Sequence, residues 1–97
     1  MLKVRECHKV KVWPQYFKDI CSGLKTFEVR KDDRNYQVGD SLLMLEWVPE
    51  TESYTGLFSN FRIIYKLEGG QFGIEKEYCC IGIAPISKSV ESATTDA

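Results

Sequence analysis

No run of apolar residues in this chain approaches the ~20 needed to cross a bilayer, and that excludes a membrane-spanning helix. Met1 to Val12 carries no apolar stretch resembling a signal peptide, so a cytoplasmic protein without membrane contact is expected. The cysteines are Cys7, Cys21, Cys79 and Cys80, and no two of them stand in the CxxC spacing of zinc or redox motifs. No metal and no cofactor are therefore expected. Cys21 falls on an apolar helical stripe, and adjacent Cys79 and Cys80 point to opposite faces of a strand, so these three read as small buried hydrophobes. Cys7 receives no role. Net charge is only −1, which argues against a protein that coats nucleic acid.

What the chain does have is a usable core and an uneven charge distribution. Ninety-seven residues, 43% of them apolar, fit one domain. A chain of this size buries roughly 60 to 68% of its unfolded surface, enough to hold without disulfides or metals. Residues 1–31 contain eight basic and three acidic side chains, a balance of +5, and residues 32–97 contain five and eleven, a balance of −6. That asymmetry points to an anionic ligand on one side of the fold, with scattered surface charge as the plain alternative.

His8 to Val12 alternates, with His8, Val10 and Val12 on one face, and predicts a short strand. Pro14 suits a first helical position, Phe17, Ile20, Cys21 and Leu24 form an apolar stripe, and Gly23 suits a left-handed cap; a helix is expected at about residues 14–22. From Thr26 to Lys31 the period changes to two, giving a strand with Phe27 and Val29 on one face and Thr26, Glu28 and Arg30 on a polar one. Turn chemistry in "DDRN" and "VGD" precedes a well-buried strand at residues 41–48. A polar hairpin loop at 49–56, a long strand through Phe61–Leu67, a flexible "EGGQFGIEKE" connection and a last strand at 78–84 follow. Residues 87–97 are small and polar and are expected to form a disordered tail to a single domain spanning 1–86. Five or six strands and one early helix make an α+β, mostly β fold, in which a small barrel closed at one end by the helix hides the strand edges.

Gly23, Lys25, Glu28 and Arg30 spell GxKxxExR, which resembles the signature of ASCH domains in the PUA-like superfamily. The wider frame, from "HKVKVWPQYF" through "DDRNYQVGD" to "YCCIGIAPI", is similar to a small phage and bacterial domain of unknown function in the same clan, over about residues 8–86. The resemblance implies a PUA-like pseudobarrel with a polar cleft between helix and barrel. It also implies binding of RNA, a nucleotide or a modified nucleoside.

The candidate ligand-binding residues are His8, Tyr16, Lys25, Glu28, Arg30 and Arg34. Arg30 is suited to a phosphate or base edge, with Glu28 holding it in place, while the same pair on an open surface is only an ion pair worth ~0.2 to 1 kcal/mol. Lys25 follows the helix cap, where it either reaches the cleft or is simply solvated. His8, the single histidine, is either a core residue or a proton-exchanging ligand. Arg34 either extends the basic rim or is a solvated turn residue, and Asp33 is expected to accept backbone N–H groups in that turn. Tyr16, Tyr36 and Trp47 are candidates for stacking a base, Tyr16 foremost because it lies off the apolar stripe; Trp47 suits the core better.

Some ASCH relatives are hydrolases whose chemistry centres on the lysine matching Lys25. In the amidohydrolases among them a threonine nucleophile stands where this chain has Glu28, so that activity is not expected. A different hydrolysis, with Lys25 and Glu28 as catalytic residues, is the enzymatic alternative, Glu28 activating water and Lys25 stabilising an oxyanion. The third reading is a phage accessory module that binds protein through its acidic surface between Glu46 and Glu77.

Overall fold

A computed structural model describes residues 5–86. The expected tail at 87–97 lies outside the described residues. Within them the chain forms β1 (Cys7–Val12), α1 (Pro14–Cys21), β2 (Phe27–Lys31), β3 (Ser41–Val48), β4 (Ser53–Glu68) and β5 (Tyr78–Pro85). The strands build one sheet in the order β1-β3-β4-β5-β2, with β1 parallel to β3 and every other pairing antiparallel. The α+β, mostly β pseudobarrel is as the sequence predicts: a five-stranded sheet curled into a half-barrel around the core, with one helix packed against it. Register shifts between Leu45 and Trp47 and between Ile63 and Tyr65 interrupt the two longest ladders. An extra residue at such points bends and twists a strand, which is what curling needs.

Pro14 opens α1 at a position whose N–H has no helical partner to lose. Ser22 caps its end, and Gly23, at φ +87°, donates to Ile20 O while Leu24 donates to Asp19 O, a Schellman closure that requires a left-handed residue. Two turns of helix are not stable alone; Phe17 and Ile20 anchor them in the core. The closure corrects the expected stripe at its last member. Leu24 lies beyond the helix, is turned outward and is 80% exposed.

The core gathers Val10 and Val12 of β1, the two helical anchors, Leu42 and Met44 of β3, Phe61 and Ile63 of β4, and Cys79, Ile81 and Ile83 of β5, with Tyr36 from the loop before β3. Three expectations need correction here. Trp47 is not in the core: it follows the bulge in β3, where it is half-buried and meets Tyr54 edge-on at 4.9 Å. Of the cysteines only Cys79 is buried, its thiol pushed up to about 11 by burial and then by the Asp32 charge; Cys21 and Cys80 are half-buried and Cys7 is exposed. The hairpin loop is shorter than expected, because Val48 pairs with Ser53 and Trp47 with Tyr54, so β4 begins at Ser53.

The β4–β5 connection is built from tight turns. Gly70 donates to Ile74 O and Ile74 to Gln71 O, and a side chain at Gly69 would sit 2.0 Å from Glu75 O, a space no residue but glycine tolerates.

Asp40 organises the start of the parallel pair β1–β3. Its carboxylate accepts from Glu6 N at 3.1 Å, Gln37 N at 3.0 Å and His8 Nε2 at 2.9 Å, all at a buried position. Burial alone would push this carboxyl up, but the His8 bond and then the two backbone N–H groups outweigh it and hold it below its ordinary 3.8. A depressed folded-state pKa means stability that is present above 3.8 and lost as pH falls through the lower folded value. Asp40→Asn is expected to cost about 1 to 3 kcal/mol at pH 7. In urea unfolding at pH 7 and at pH 3, the gap between the natural protein and the variant narrows at the lower pH.

Candidate functional site

Curling the sheet leaves one seam, because β1 and β2 are its two outer strands and each has a free edge. The alternation read from β2 is correct, and the polar face is the one turned inward. Glu28 is 7% exposed, while Phe27 and Val29 on the opposite face are 47% and 53% exposed. A carboxylate so placed needs compensation, and it receives two cations. Lys25 Nζ donates to Glu28 Oε1 at 2.9 Å, and Arg30 donates from Nε to Oε2 at 2.9 Å with its Nη2 the same distance from that oxygen. Lys25 also donates to Phe27 O at 2.7 Å, so two of its three protons are committed.

The arginines then span the seam. Arg30 Nη2 donates to Lys11 O and Arg34 Nη1 to Lys9 O, alternate carbonyls along the edge of β1 that has no strand beside it. A planar guanidinium fits this task because its donors can satisfy a carboxylate on one side and a carbonyl on another. The loop carrying Arg34 is fixed from below: Lys66 Nζ reaches Asp32 Oδ2 at 2.7 Å and Tyr36 O at 2.9 Å. Burial opposes the charge on Lys66, but Asp32 and then Glu68 outweigh it and raise its pKa. Asp32, not Asp33, is the turn residue that accepts a backbone N–H, from Tyr36 at 3.2 Å.

Over the seam lies a cavity of about 390 Å³, at the lower end of the range for small-molecule sites. Its charged lining is Arg30, Lys31 and Arg34 against Glu28 and Asp33, with Lys11 bordering it while its ammonium turns to the Trp47 ring. Trp13 and Tyr16 form its aromatic side, their rings stacked 6.2 Å apart at 25°, and both are substantially exposed. A smaller cavity of about 220 Å³ continues past Tyr16 and Glu28 to Lys25 and Phe27. Lys25 Nζ stands 5.7 Å from the Tyr16 ring centroid and 4.8 Å from that of Phe27.

Five of the six residues read from the sequence therefore meet: Tyr16, Lys25, Glu28, Arg30 and Arg34 line these two adjoining cavities. His8 does not join them; it is buried, bonded to Asp40 and edge-on to Tyr36 at 4.8 Å. Tyr36 forms part of the cavity lining but is itself buried, which denies a base access to its ring face. Burial pushes its phenol up against the opposing pull of Arg30 and Arg34. Trp47 lies elsewhere, with Lys11 Nζ over its ring at 3.9 Å. Reading the residues one element at a time missed Lys11, Trp13, Lys31 and Tyr78 as lining. Trp13 had a signal: it stands three residues before Tyr16, a spacing that brings side chains together at a helix start.

Comparison with known proteins places the chain in a family. A model described as "Domain of unknown function (DUF3850)" matches residues 7–83, and the chain belongs to that family. It is also similar to the "Uncharacterized 12.9 kDa protein in GpA 3'region" of Escherichia phage P2, with 49% identity over 41 residues. The match covers 42% of this chain and 38% of that relative, so the chain spans well under half of the phage protein's length.

The clamp makes Glu28 structural as well as local to the site. Glu28→Gln leaves Lys25 and Arg30 without their anion, and a loss of about 1 to 3 kcal/mol in unfolding free energy is expected, measured by urea denaturation. Lys31→Ala, which removes a cation with no ion pair among the described residues, is expected to stay within ~0.5 kcal/mol of the natural protein in the same assay.

Proposed function

We propose that the seam cleft binds RNA or a nucleotide, a modified nucleoside included, and that the domain is an ASCH-like member of the PUA-like superfamily. The observation that carries this reading is the gathering of Lys25, Glu28 and Arg30, three residues of GxKxxExR, into one hydrogen-bonded cluster beside an exposed aromatic pair. The fourth, Gly23, supplies the left-handed turn that delivers Lys25 to it. In this reading Glu28 orients Arg30, the cations Lys31 and Arg34 attract phosphate, and Tyr16 with Trp13 offers a face to a base, a contact worth ~1 to 3 kcal/mol.

Binding is favoured over hydrolysis by the same geometry. Both oxygens of Glu28 already accept from cations, so the carboxylate is engaged in holding Lys25 and Arg30. Lys25 is held as a donor to Glu28 and Phe27 O. A cytoplasmic setting suits the reading, since all four cysteines are free thiols.

Titration of short RNAs and nucleotides by fluorescence anisotropy is the test. Affinity is expected to fall with salt, and Arg34→Ala or Lys25→Ala to weaken binding about tenfold while Arg34→Ala lowers the salt slope by about one. Turnover of RNA or a modified nucleoside that is abolished in Lys25→Ala marks a hydrolase instead. Absence of binding at low salt, together with capture of a protein partner that charge reversal between Glu46 and Glu77 abolishes, overturns the nucleotide reading in favour of an interaction module.

A further inference from the structure

The cleft does not end at the seam cavity. A third cavity of about 450 Å³, lined by Val29, Gly73, Ile74, Glu75 and Tyr78, shares Val29 and Tyr78 with the seam cavity. Val29 also borders the cavity at Lys25 and Phe27, so these three cavities adjoin around Val29 of β2.

The chemistry of these cavities differs. The seam cavity holds the stacked rings of Trp13 and Tyr16 together with the cations Lys31 and Arg34, and the third cavity offers Tyr78 and Ile74 with one carboxylate, Glu75. A second observation marks the third cavity. Phe72, just before Gly73, is held at φ +51°, a region that bulky residues avoid, and its ring is 82% exposed. The backbone bonds on either side, Gly70 N to Ile74 O and Ile74 N to Gln71 O, hold it there. An aromatic ring kept outward at a conformational cost, one residue before the cavity-lining Gly73, has the hallmark of a contact surface.

We propose that the cleft takes a single strand of at least two consecutive nucleotides, in preference to an isolated nucleoside or mononucleotide. One base lies at Tyr16, the linking phosphate at Lys31 and Arg34, and the next base on the platform of Tyr78, Ile74 and Phe72. Aromatic, cationic and apolar groups answer to base, phosphate and base, with Ile74 in a different cavity from Tyr16 and the two cations. This inference rests on the nucleotide reading above and adds to it a length requirement and a second base site.

The experiment is a length series: adenosine monophosphate, the ApA dinucleotide and a four-nucleotide adenosine oligomer, titrated at one fixed salt concentration. The dinucleotide and the oligomer are expected to bind at least about tenfold more tightly than the monophosphate, as one added stacked base implies. The double variant Phe72→Ala, Ile74→Ala is expected to weaken the oligomer about tenfold and leave the monophosphate unchanged, with its melting temperature confirming the fold; if that variant does not fold, Phe72→Ala alone carries the same expectation at reduced size. Equal affinity for all three ligands, unaltered in the variant, overturns the two-base proposal and leaves the nucleotide reading standing. Failure of all three to bind overturns both.

Discussion

The carboxylate of Glu28 is the constraint on which the rest of this structure depends. It sits on the inward face of an outer strand, and an inward charge is tolerated only when paired. Pairing it with Lys25 and Arg30 fixes two side chains that would otherwise sample many rotamers. Arg30, once fixed, meets the free edge of β1, and Arg34 repeats the contact two residues along that edge. The seam of the half-barrel is thus joined by side chains where a closed barrel would use backbone. Side-chain closure leaves room above the seam, and that room is the cleft.

This arrangement inverts the usual use of an amphipathic strand. Phe27 and Val29 face outward and Glu28 and Arg30 face inward, so β2 adds little to the apolar core, which is supplied by β1, β3, β4, β5 and the helix. The flanking loop is anchored by polar contacts instead, through Lys66 on Asp32 and Tyr36, and the Asp40 network holds the start of β1 to β3. Local departures from the pattern of polar outside and apolar inside concentrate where a protein does its work, and this one coincides with the largest gathering of cations and exposed aromatics along β2.

Much of the fold was legible. The strand β1, the helix with its proline start and glycine stop, and the last strand all follow from local spacing, because their inward faces are apolar and the period alone identifies them. Trp47 and Leu24 were misjudged for one shared reason: each lies just past an irregularity, a bulge or a helix closure, after which the period no longer reports which way a side chain points. His8 was ambiguous and Tyr36 read as a stacking surface because their surroundings come from Asp40 and from each other, across a loop and a strand distant in sequence.

The sequence by itself determined which residues would be neighbours along the chain: the turn at Gly23, the lysine after it, and the alternation that puts Glu28 and Arg30 on one face of a strand. These are consequences of backbone sterics and of the two-residue period, which act within a few residues. Only the tertiary structure decided that this face points inward, that the edges of β1 and β2 come within reach of two arginines, and that Trp13, Lys31 and Tyr78 border one cavity. Those facts depend on strand order and on sheet curvature, which arise from the pairing of segments dozens of residues apart and leave no imprint on local periodicity.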